Sequence, residues 1–169
     1  RSTDDGMELV KKKVKRWVAM AGKFPEGEEF NVKEDSVASQ YVLANWPTPV
    51  ILSGFEIGEK IRTGKQLLNS SRESPAQQVF AQAMPLSKED VEGRQSWDQS
   101  AVLVAVNGAA PYFDLVRGKM VVDPSGHNRW INDPQGAHYY LSFRRSPEEL
   151  ATLIEGYMMH RPKTGKTSK

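Results

Sequence analysis

The chain of 169 residues contains no cysteine. That excludes disulfides, thiolate metal ligands and a cysteine nucleophile, and it leaves the compartment open, because a cysteine-free chain suits oxidising and reducing surroundings alike. Long hydrophobic runs are missing too. The longest apolar stretches, such as Ala101 to Ala110, fall far short of the ~20 residues that cross a bilayer. Histidine is scarce, and His127, His138 and His160 show no metal-ligand spacing of the H-x-x-x-H kind, so each is expected to be structural or exposed. There is no glycine-rich phosphate loop, no G-x-S-x-G nucleophile elbow and no internal repeat.

What is present describes a folded chain. Hydrophobic residues make up 38% and charged residues 26%, which separates this composition from disordered or collagen-like sequences. The net charge of +2 is unevenly spread: Arg161, Lys163, Lys166 and Lys169 carry four positive charges, so the body before residue 161 stands at −2. Residues 161–169 read as a basic flexible tail. Lys11, Lys12, Lys13, Lys15 and Arg16 form a second basic cluster, read as a solvated face, because no exposed aromatics or recognition motif accompany it; nucleic acid and membrane are not expected partners. The first methionine is Met7, and Arg1 to Gly6 lack the apolar segment of a signal peptide. The expectation is a processed product or a fragment, cytoplasmic, or exported to the periplasm where a leader has been removed.

The pattern along the chain predicts alternating helices and strands. Met7, Val10 and Val14 suggest a short helix before an apolar strand, Trp17-Val18-Ala19-Met20. Asn31 with Glu34 resembles a capping box opening a helix whose inner face holds Val37, Ala38, Tyr41 and Val42. Pro49 to Leu52 is a second buried strand, followed by a helix from Gly54 to about Thr63. Ser74-Pro75-Ala76-Gln77, Ser96-Trp97-Asp98-Gln99 and Ser146-Pro147-Glu148-Glu149 each read as a helix start. Between residues 111 and 142 short strands with turns at Gly118, Asp123-Pro124 and Asp133-Pro134 predict a small strand-rich segment. The fold class expected is α/β, a mainly parallel sheet flanked by helices with Rossmann-type topology.

In such sheets ligands bind beyond the carboxyl ends of the strands, which singles out Met20 to Asn31 and Ser53 to Glu56. Glu29 and Asn31 are expected to point the same way with Phe30 inward, a carboxylate and an amide that suit the neighbouring hydroxyls of a polyol. Equally, Asn31 caps a helix and Glu29 is a solvated loop acid. Asp98 lies in the first turn of its helix, where the dipole favours a carboxylate; it reads either as that alone, or as a base or hard-metal ligand beside Trp97, whose ring is a core anchor or a stacking platform.

Taken together, Val18-Ala19-Met20-Ala21-Gly22 leading to Glu29-Phe30-Asn31, the strand Val50-Ile51-Leu52 with Ser53-Gly54-Phe55-Glu56, and Ser96-Trp97-Asp98-Gln99-Ser100-Ala101-Val102 resemble the carboxy-terminal half of the inosine-uridine preferring nucleoside hydrolases. The likeness runs from Met7 through His160. It implies residues 1–160 as the carboxy-terminal part of a nucleoside-hydrolase-like domain, and calcium-dependent cleavage of the N-glycosidic bond of purine or pyrimidine ribonucleosides. It further implies ribose binding by Glu29 and Asn31, a sugar pocket lined by Met20, and Asp98 as calcium ligand and catalytic carboxylate. Trp97 stands where well-studied members carry a proton-donating histidine, so it would stack on the base. The family's D-x-D-x-x-x-D-D motif, which supplies most calcium ligands, is nowhere in this chain. The resemblance therefore implies an inactive chain, a missing amino-terminal half that completes the Ca²⁺ site, an unfinished sheet, and a homo-oligomer when intact. Three other readings stand beside it: a non-catalytic sugar- or nucleoside-binding relative, a proteolytic piece that stays with its other half, and an unrelated α/β domain.

Overall fold

Strands and helices are interspersed along the chain in the computed structural model, which describes residues 3–70 and 74–160. In chain order these are α1 (Thr3–Lys13), β1 (Trp17–Met20), β2 (Glu26–Glu28), α2 (Phe30–Glu34), α3 (Ser36–Asn45), β3 (Val50–Ser53), α4 (Phe55–Lys60) and β4 (Arg62–Thr63). There follow α5 (Lys65–Asn69), α6 (Pro75–Ala83), two 3₁₀ turns, β5 (Arg94–Gln95), α7 (Trp97–Asn107), β6 (Phe113–Val122), β7 (His127–Asn132), β8 (His138–Phe143) and α8 (Pro147–Met158). The tail expected over residues 161–169 lies outside the described residues.

The sheet is mixed. Its order is β1-β3-β8-β6-β7-β2, with β1/β3 and β3/β8 parallel and the pairs β8/β6, β6/β7 and β7/β2 antiparallel. A mainly parallel sheet is thus found only at one end. The strand-rich segment is not separate: hairpin-length connections at Asp123 to Gly126 and Asp133 to Ala137 fold β6, β7 and β8 back on one another, and β8 joins them to β3. Gly118 is no turn but sits inside β6, where a Cβ would lie 2.3 Å from the Ile131 carbonyl oxygen and 2.7 Å from the Trp130 ring. Close approach, not bending, explains that glycine.

Helices cover both faces because β3 is apolar on both. Val50 and Leu52 pack with Val32, Leu43, Met120 and Val122 under α2 and α3. Ile51 faces the other way, into Ile57, Leu103, Val104, Leu150 and Ile154 under α4, α7 and α8. Such two-sided burial is what a hydrophobic run in a strand demands. β1, at the sheet's end, is only half-buried along its length, with α7 lying against it. Trp17 N–H donates to Pro49 O at 2.9 Å and Ala21 N–H to Ser53 O at 3.2 Å, so strand alternation turns the N–H and C=O of Val18 and Met20 outward.

Three local expectations are corrected. The helix expected from Asn31 is two helices, capped by Glu29 and Asp35, whose carboxylates reach free N–H groups that Asn31 and Glu34 do not serve. This rotates the expected inner face outward: Val37 is 76% and Tyr41 58% exposed, while Leu43 is buried. Ser96 makes no cap; its hydroxyl pairs instead with Thr63 Oγ1 at 2.6 Å. Ser74 and Ser146 do cap, the latter in a full capping box with Glu149. No helix among the described residues is long and apolar enough to cross a membrane.

Candidate functional site at the carboxyl ends of the parallel strands

Met20 and Ser53 are register partners, so the carboxyl ends of β1 and β3 lie side by side. The loop leaving β1 is held by three side chains from three elements. Gly22 N–H donates to Glu29 Oε2 at 3.2 Å, Lys23 N–H to Asn128 Oδ1 at 2.8 Å, and Phe24 N–H to Glu56 Oε2 at 3.1 Å. Asn128 is fully buried and donates back from Nδ2 to Lys23 O at 2.7 Å, closing a two-way clamp from β7. Successive backbone N–H groups that would otherwise be orphaned are thereby satisfied, and the loop is pre-organised.

Glu29 is only 4% exposed. As N-cap of α2 its oxygens also accept from Asn31 N–H at 2.9 Å and Val32 N–H at 3.3 Å, where a carboxylate gains from the helix terminus. The expected arrangement of Glu29 and Asn31 side by side with Phe30 inward does not occur. The helix begins at Phe30, so the period-two alternation stops there, and Phe30 is 73% exposed. Asn31 is exposed and folds back on the strand: Nδ2 donates to Met20 O at 3.2 Å and contacts Met20 Sδ at 3.1 Å. Its amide oxygen has no partner among the described residues.

A second wall comes from α4 and α7. Ser53 Oγ and Ser100 Oγ lie 2.7 Å apart, and Ser100 Oγ donates to Trp97 O at 2.7 Å, which fastens the start of α7 to the end of β3. Trp97 Nε1 donates to Phe55 O at 3.0 Å, and the two rings sit 5.5 Å apart at 34°. Gly58 permits this: a Cβ there would stand 2.3 Å from Trp97 Cα. Lys23 Nζ lies 5.4 Å from the centre of the Phe55 ring. Glu56 is half-buried with Oε1 unpartnered, and burial pushes its carboxyl above the usual range despite Lys23 and Lys60 nearby.

The sequence-predicted residues are therefore partly assembled. Met20, Glu29 and Asn31 converge at the end of β1, and Trp97 stands on the adjoining wall. Asp98, one residue on, is exposed and opens instead into a trough of about 440 Å³ between α7 and α8, with Val102, Val106, Ile154 and Tyr157. No hydrogen bond or ion pair among the described residues joins Asp98 to the other four. Nor does any cluster of three His, Asp or Glu among the described residues form a metal cage. Asp98 offers one carboxylate to an ion that takes about six to eight oxygens, so these residues do not by themselves fit Ca²⁺.

Of the histidines, His138 is buried, its Nδ1 accepting from Met120 N–H at 3.1 Å. Asn128 and Phe24 were not singled out as site residues by pattern; Asn128 clamps a loop 105 positions away, which no local signal announces. Glu56 sits in the expected strand-end segment and folds back locally over Gly54, but its bond to Phe24 N–H spans 32 positions. No protein-family model matches this chain, and no curated protein matches it.

Proposed function

We propose that this chain is the carboxy-terminal part of a hydrolase that cleaves the N-glycosidic bond of ribonucleosides to ribose and free base, and that the chain by itself is inactive. The observation that carries the reading is the convergence of Met20, Glu29 and Asn31 at the carboxyl end of an edge strand. Asn31 presents a free amide oxygen to a ribose hydroxyl, its Nδ2 and Met20 fix that amide, and Glu29 holds the loop. Phe55 and Trp97 offer an aromatic wall to the base. In this reading Asp98 would be one calcium ligand and the catalytic carboxylate, and the amino-terminal half would bring the remaining ligands. The open edge of β1 is where that half would join the sheet, with Rossmann-type topology then extending the parallel end, and the intact protein would be a homo-oligomer.

A second reading, a non-catalytic sugar- or nucleoside-binding relative, is favoured by one observation. Glu29 spends its oxygens on three backbone N–H groups and Trp97 its Nε1 on Phe55 O, so neither is free to protonate a leaving base. A reducing-sugar assay with inosine and uridine on the protein comprising both halves, paired with calorimetry using ribose, inosine and Ca²⁺, separates the two. Chelator-sensitive ribose release that falls at least tenfold in Asn31→Ala supports the hydrolase. Binding without release supports the relative. Chelator-sensitive release by residues 1–169 alone would contradict the claim of inactivity.

A further inference from the structure

We propose that the outer face of α7 is a self-association surface on which a second copy of this chain docks, α7 against α7 about a two-fold axis. From Ala101 to Val106 the helix is apolar all round. Ala101, Leu103 and Val104 are buried against the sheet, yet Val102 is 59% and Val106 74% exposed on the opposite side. Helices hydrophobic on every face are covered on every face in a stable assembly. Asp98, Val102 and Val106 recur every fourth residue and form one stripe ~12 Å long, bordered by exposed Tyr157.

The charges at its two ends identify the occupant. At one end Asp98 is exposed and has no ion-pair partner among the described residues. At the other, exposed Arg16 reaches over from the residue before β1 and donates from Nη2 to Ala105 O at 3.3 Å, beside Val106, with no carboxylate on it among the described residues. A two-fold axis at Val102 sets the helices antiparallel, apposes valine to valine, and brings Asp98 of each copy to Arg16 of the other. Self-complementarity of this kind, acid and base exchanged by the same rotation that pairs the apolar centre, is the signature of an isologous interface. Asp98 is also the calcium ligand of the proposed hydrolase. The dimer is accordingly the state of this chain by itself, and the amino-terminal half would compete for the same face.

Sedimentation equilibrium of residues 1–169 over a concentration series tests this without reference to hydrolysis, so its failure leaves the proposed function standing. The expected result is a reversible species of twice the chain's 19.0 kDa. Val102→Asp and Val106→Asp each abolish it. Arg16→Asp and Asp98→Arg each weaken it by about tenfold, and the double swap recovers most of the loss. All four side chains are exposed, and circular dichroism melts confirm that each variant folds. Any one of three results overturns the proposal: a chain monomeric at every concentration, a dimer indifferent to both valine substitutions, or a double swap no better than its singles.

Discussion

The two edges of the sheet are built on opposite principles. β2 is three residues long, reads Glu-Gly-Glu, and carries an ion pair from Lys33 to Glu28 that holds the Glu28 carboxyl below its usual range. Short, charged edges of this type resist pairing with other chains. β1 reads Trp-Val-Ala-Met, has no charge, is half-buried throughout, and turns the backbone groups of Val18 and Met20 outward. The outer face of its neighbouring helix α7 is uncovered as well, with Val102 and Val106 exposed. One edge is short and charged, the other apolar and open, and Met20, Glu29 and Asn31 sit at the open one.

Removing the apolar centre behind the open edge should have the largest effect. Leu52→Ala, at a fully buried position one strand in from β1, is expected to cost about 2–5 kcal/mol in urea denaturation, and Trp17→Ala at the half-buried edge distinctly less. Equal losses would mean that β1 is as enclosed as β3. Next comes the clamp between the two regions. Asn128→Ala leaves the part-buried Lys23 N–H and C=O without their partner and strips the fully buried Asn128 site of its amide, which should cost about 1–3 kcal/mol, with amide shifts spreading from β7 to residues 22–24 in NMR spectra.

A smaller, pH-dependent effect belongs to the seam where parallel pairing gives way to antiparallel. His138 opens β8, opposite Val50 on one side and Gly118 on the other. Burial lowers its pKa, and Met120 N–H occupies Nδ1, which a proton would displace. A folded-state value below the unfolded one means that the neutral form is favoured by folding. His138 thus contributes stability above its ordinary pKa, and that contribution is lost as pH falls through the lowered one. Thermal melts should show a drop over that acidic window that His138→Gln removes. Glu56 has the opposite sign: its raised pKa favours the fold at low pH and costs stability as pH rises through it, so Glu56→Gln should stabilise at pH 7 more than at pH 4. The smallest effect is expected at β2, where Glu28→Ala removes an exposed ion pair and should leave the melting temperature unchanged.

Much of the parallel end was legible in sequence. β1, β3, α7 and α8 fall where apolar runs and serine-led starts predict them, because both signals are local. The antiparallel end was harder. Gly118 looked like a turn, since a glycine needed for close packing against Trp130 carries the same letter as one needed for bending. Val37 and Tyr41 looked internal because helical spacing reports a stripe without saying which stripe is covered. At the site, Met20, Glu29 and Asn31 were found together. Glu29's cap bonds span only two and three positions, but its hold on Gly22 and the clamps from Glu56 and Asn128 span 7, 32 and 105, contacts that only the folded chain brings together.

The open edge itself is tested most directly by amide hydrogen exchange along β1. Trp17, Ala19 and Ala21, whose N–H groups face β3, should be protected, while Val18 and Met20 between them should exchange near the rate of an unstructured chain. Protection of Val18 and Met20 equal to that of Ala19 would contradict an open edge at β1.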